Sequence, residues 1–61
     1  MKIDKRELIL NSAEQLMLSE TGDNISMNMI AQQAGIAKGG IYYYFKSKEE
    51  VLYAVIQRAY R

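Results

Sequence analysis

The chain has 61 residues, a formal net charge of +1, and neither cysteine, histidine nor proline. That length admits one small domain, which buries only about 60% of the surface its unfolded chain exposes. Without Cys or His there are no disulfides, no His/Cys metal sites and no side chain that ordinarily titrates near neutral pH, so neither catalysis nor metal or cofactor binding is expected. The apolar runs are too short to span a bilayer, and the charged start MKIDKRE is not followed by a signal-peptide core. No membrane segment or export signal is read, and the cytoplasm is the expected location.

In chain order, residues 1 to 3 are expected to fray. A first helix is predicted from about Asp4 to about Glu20, with Ile9, Ala13, Leu16 and Met17 on one stripe and Leu10 beside them. Asp4 and Glu7 suit its positive end and resemble a capping box. Leu8 and Leu18 fall off the stripe. Lys2, Lys5 and Arg6 are solvated or reach a phosphate. SETGDN is turn chemistry, and Ile25 before Ser26 fits a hydrophobic staple.

The stretch SMNMIAQQAGIAKGGIYYYF, residues 26–45, organises the rest. Met27, Ile30, Ala31 and Ala34 form one apolar stripe behind a Ser26 N-cap, and Gly35 can take the left-handed conformation that ends a helix. A further helix starts near Ala37 or Lys38, with Ile41 and Phe45 on its inward face. Two short helices joined by a glycine turn are the outline of a DNA-binding helix-turn-helix. Lys46-Ser47 then breaks the chain, and Ser47 with Glu50 reads as a capping box. The last helix carries Val51, Leu52, Val55, Ile56 and Ala59 on a wide apolar face and is expected to run to Arg61, with no glycine, proline or polar stop. The expectation is that the sequence is the front of a longer protein.

Charge distribution adds to this. No Asp or Glu occurs from Asn24 to Lys48, a window that holds Lys38, Lys46 and Lys48. Such a surface can meet a polyanion without repelling it. Lys38, opening the second motif helix, can donate to guanine or to a phosphate; otherwise it is a solvated lysine. Gly39 and Gly40 each cost roughly 1 kcal/mol in a helix interior, which close backbone approach to DNA explains. A phosphate loop is the poorer alternative, since KGG lacks the glycine spacing and the preceding strand. Tyr42, Tyr43 and Tyr44 are spread by about 100° each, so at least two phenols face solvent and can donate to phosphate. Lys48 in the first turn of the last helix opposes the helix dipole, and a phosphate bound there explains it. Ser26, Met27 and Asn28 begin the first motif helix, where backbone N–H groups abut the DNA backbone. Asn28 either reads a base or is solvated.

The run IAQQAGIAKGGIYYYFKSKEEVL resembles the N-terminal domain of TetR-type transcriptional repressors. The likeness lies in an Ile-Ala pair, an Ala-Gly-aliphatic turn, an aliphatic-Tyr-x-x-Phe helix and a Ser-Lys-Glu start to the next helix. ILNSAEQLM resembles that family's first helix, so the resemblance covers roughly residues 5 to 57. It implies phosphate contact by Tyr42 and Lys48, DNA contacts near Tyr43 and Tyr44, and small residues at 39 and 40. The chain departs from the family at Met27, where a hydroxyl is usual, and at Ala37, which replaces a frequent serine. These residues alter individual contacts rather than the docking mode.

The expected fold is therefore all-α, a three-helix helix-turn-helix (homeodomain-like) bundle followed by a fourth, linker helix. One helix-turn-helix domain, residues 1–61, is expected to bind double-stranded DNA sequence-specifically. The resemblance implies a repressor acting as a homodimer on a palindromic operator, with dimerisation and a small-molecule inducer in a C-terminal domain absent from this sequence. The alternative is a protein-interaction module that uses the apolar face of the last helix.

Overall fold

A computed structural model describes residues 4–60. The expected frayed residues 1–3, Lys2 among them, and Arg61 lie outside the described residues.

Four helices follow one another: α1 (Lys5–Ser19), α2 (Met27–Ala34), α3 (Lys38–Tyr44) and α4 (Lys48–Ala59), with a 3₁₀ turn at Gly22–Asn24 between the first two. The described residues form helices, turns and short connections, and the architecture is the all-α one expected. α1 is the spine, packing on both α2 and α4, while α3 packs on α2. One core results, built from Ile9, Leu10 and Ala13 of α1, Ile25, Met27, Ile30 and Ala31 around α2, Ile41 and Phe45 of α3, and Val51 and Val55 of α4.

Local chemistry sets each boundary. Asp4 caps α1 by accepting the Arg6 amide at 2.9 Å, and Ser26 caps α2 by accepting the Met29 amide at 3.1 Å. Gly35 ends α2 with φ 72° and ψ 31°. Its N–H bonds Gln32 O at 3.2 Å while that of Ile36 bonds Ala31 O at 2.9 Å, the paired bonds of a Schellman motif. Ile36 then folds back onto the core. Ser47 caps α4 by accepting the Glu50 amide at 3.3 Å, and the Glu50 carboxylate accepts Lys46 N–H at 3.0 Å. The capping box is thus closed one residue early.

Two expectations are corrected. Glu7 does not complete a capping box with Asp4; its carboxylate accepts from Arg58 at 2.8 Å, and the same guanidinium reaches Glu14 at 2.8 Å. One arginine of α4 thereby ties that helix to two points about two turns apart on α1, which local capping cannot do. α4 ends at Ala59, before the chain terminus. Its wide apolar face stays partly exposed, as expected: Val51 and Val55 enter the core, Leu52 is half-buried, and Ile56 is 46% exposed.

Because an added Cβ at Gly35 meets nothing within 4 Å, the left-handed backbone alone sets the cost of a side chain there. Gly35→Ala is expected to destabilise the domain by about 1–2 kcal/mol, measured by urea or thermal unfolding. An unchanged midpoint would mean that the turn does not hold this conformation.

Candidate nucleic-acid interface

The helix-turn-helix consists of α2, the turn Gly35–Ala37 and α3. Ile41, fully buried, and Phe45, 4% exposed, turn one side of α3 into the core. At 100° per residue the opposite line of the helix then carries Gly39 and Tyr43, with Tyr42 on the flank, while Lys38 is exposed as the first residue of the helix. Exposure agrees: Tyr43 is 84% exposed and Tyr42 46%. Tyr44 is 36% exposed, and its ring meets that of Tyr43 edge-on with centroids 5.1 Å apart. All three phenols therefore reach solvent from one short helix.

The structure separates the two glycines. A Cβ on Gly39 would meet nothing within 4 Å, whereas one on Gly40 would lie 3.2 Å from Ile36 Cγ2. A side chain on Gly40 would therefore crowd Ile36, so close seating of α3 is an internal reason for a small residue there, beside the approach to DNA. Gly39 has no such internal partner, so its helix-propensity cost is not recovered within the domain.

At the start of α2, Asn28 and the capping Ser26 are exposed. Met27 is 7% exposed and belongs to the core. As the apolar stripe implies, its side chain faces inward, and what it offers at the helix start is its backbone N–H, which has no intrahelical acceptor. Ala37 is exposed and caps α3 without a side-chain hydrogen bond. Lys38 is exposed beside it.

Lys48 is half-buried, and its Nζ donates to Gly22 O at 2.6 Å. An anion is therefore not needed to explain a cation at the start of α4, because a carbonyl of the 3₁₀ turn already faces it. Two ammonium protons remain for other acceptors.

One further residue borders α3. Arg6 places its guanidinium 5.3 Å from the centroid of the Phe45 ring, a cation–π stack that brings a second positive group to the C-terminal end of the helix. Nothing in local spacing signals that contact, since the two residues lie on different helices. Between Asn24 and Lys48 there is no acidic residue to oppose these cations.

Elsewhere, an open groove of about 560 Å³ runs between α1 and α4, lined by Met17, Leu18, Val55, Ile56, Ala59 and Tyr60 among others. Leu18 is 78% exposed along it. No helix among the described residues is long and apolar enough to cross a membrane, and no cluster of His, Cys, Asp or Glu among them could hold a metal ion.

A glycine-turned helix pair on a small α-helical core, with an acid-free cationic and phenolic outer helix, defines a helix-turn-helix domain. Residues 9–55 match the family model described as bacterial regulatory proteins, tetR family, and the chain belongs to that family. Over 55 residues it is 44% identical to HTH-type transcriptional regulators of Staphylococcus aureus strain USA300 and strain NCTC 8325 / PS 47, covering 90% of this chain and 30% of each relative. A regulator of the bovine strain RF122 / ET3-1 is 43% identical over 56 residues, 92% of this chain and 30% of its own length. The chain thus spans about 30% of the length of these curated relatives. No solved structure matches the chain at comparable significance.

Gly39 offers a test in which stability and binding separate. Gly39→Ala should leave the fold intact and raise its stability by up to about 1 kcal/mol, as read by thermal unfolding. A loss of stability would mean that the glycine serves packing, as Gly40 does.

Proposed function

We propose that this domain binds the major groove of double-stranded DNA and reads sequence with the exposed edge of α3, as the DNA-binding part of a transcriptional regulator. The observation that carries the reading is the outer face of α3. Gly39 and Tyr43 stand opposite the buried Ile41 and Phe45, Tyr42 flanks them, and Lys38 is exposed at the N-terminal end of the helix, all within an acid-free window. A recognition helix enters the major groove with its N-terminal residues nearest the bases, so Lys38 is the base reader. Tyr42, Tyr43, Lys48 and the first amides of α2 take phosphates, which position the domain without carrying sequence information.

Repression, in the cytoplasm, by a homodimer on a palindromic operator is the form of regulation we propose. One helix-turn-helix covers one half-site, and two-fold symmetry of the protein is mirrored in the DNA. Residues 1–61 then constitute the DNA-binding domain, with the helix-turn-helix at 26–45. Dimerisation and response to a small-molecule inducer belong to a C-terminal domain, which would dock on the apolar groove between α1 and α4. Catalysis has no part in this reading. The same groove supports a second reading, a protein-interaction module indifferent to DNA.

The two kinds of contact have different signatures. Lys48→Ala should weaken binding to all duplexes alike and flatten the salt dependence by about one unit in the log–log slope. Lys38→Ala should instead change the order in which duplexes of different sequence are preferred, with losses of about 1–3 kcal/mol confined to sites with guanine at one position. Fluorescence-anisotropy titrations over several salt concentrations and sequences check both. Equal effects of the two variants on every duplex would overturn the division of roles.

A further inference from the structure

The bond from Lys48 to the 3₁₀ turn joins two parts of the surface assigned above to DNA. Gly22 O accepts from Lys48 Nζ at 2.6 Å and from the Ile25 amide at 3.3 Å, so both its lone pairs are engaged. Leu52 lies one helical turn beyond Lys48 on the same face of α4. Its Cδ1 would sit 3.7 Å from a Cβ on Gly22. The turn is therefore held by α4 through a charged hydrogen bond, with the Leu52 side chain close beside it. Ile25, 2% exposed, follows the turn directly. Next comes Ser26, whose hydroxyl caps α2. The only chain between the carbonyl that Lys48 grips and the first amides of α2 is Asp23 to Ser26.

We propose that Lys48 is a positioning residue for DNA binding: by clasping the Gly22 carbonyl it fixes the start of α2 relative to the start of α4. The spacing of the two helix starts decides whether they can meet the backbone of one DNA strand together. A direct phosphate contact by the same ammonium is compatible with the clasp, because two of its protons are free. The proposal rests on the DNA-binding reading, but the clasp itself is a property of the free domain.

The test uses Lys48→Met, which keeps the aliphatic stem along Leu52 and removes the donor. In the free domain, amide hydrogen exchange at Asn24 and Ile25 should quicken on the order of three- to tenfold, the equivalent of one net hydrogen bond. Exchange at Phe45 and Val55 should stay at the wild-type rate, which reports that the fold is intact. On DNA, duplexes with single neutral methylphosphonate linkages are scanned along the half-site. The wild-type domain should be sensitive at separate linkages facing α2 and α4. Lys48→Met should lose sensitivity at the α4 linkage and also have it reduced at the α2 linkage, an effect its own charge cannot produce. Unchanged exchange at Asn24 and Ile25 would overturn the clasp. Full retention of sensitivity at the α2 linkage would overturn the positioning role and leave Lys48 a phosphate ligand alone. A wild-type domain that ignores every duplex would instead overturn the DNA-binding reading, together with the positioning role, while the exchange comparison still decides the clasp.

Discussion

A helix as short as α3, seven residues from Lys38 to Tyr44, has no stability of its own in water, because nucleation costs more than so few hydrogen bonds return. It exists because Ile41 and Phe45 are anchored in the core. That constraint fixes the rest of the surface. With two residues four apart turned inward, Gly39 and Tyr43 must face outward, and three consecutive tyrosines cannot all be buried. The outer chemistry of α3 is thus a consequence of how the helix is held.

Holding it requires the neighbours to be rigid in turn. Gly35 supplies the left-handed backbone that turns the chain from α2 into α3, and Gly40 lets α3 seat on Ile36. α1 and α4 form the base, with Val51 and Val55 in the core and Arg58 bridging Glu7 and Glu14 at the surface. Partly exposed ion pairs of that kind contribute little to stability individually, typically about 0–1 kcal/mol. Their effect is directional, since one guanidinium fork sets the angle of α4 against two turns of α1. Arg6 over Phe45 and Lys48 on Gly22 O do similar work at the other end of the molecule. The first joins α1 to the end of α3, and the second joins α4 to the 3₁₀ turn that leads into α2.

What could be read from the chain were the features encoded locally. Ser26, Gly35 and Ser47 mark helix ends by their own side-chain or backbone chemistry, and periodicity alone puts Ile30, Ile41 and Val51 inside. Spacing gives only the outline of a helix-turn-helix; the tetR family is reached through the resemblance of IAQQAGIAKGGIYYYFKSKEEVL to that family. The long-range contacts were not. Glu7 looked like half of a capping box because Asp4 is three residues away, but Arg58 lies 51 positions along the chain and competes for the same carboxylate. Met27 is on the apolar stripe that the spacing marks, and its side chain is buried in the core accordingly. Lys48 looked unexplained against the helix dipole because its partner is a backbone carbonyl, which no side-chain pattern announces. Gly39 and Gly40 were indistinguishable by residue type, and only the position of Ile36 tells them apart.

The central claim is that residues around α2 and α3 form a face for DNA. An NMR titration of the labelled domain with a mixed-sequence duplex at low salt addresses it most directly. Shifts confined to residues 26–29 and 37–48 that fade as salt rises are the expected result. Shifts only along Val51 to Ala59, or none, would contradict it and make the groove between α1 and α4 the working surface.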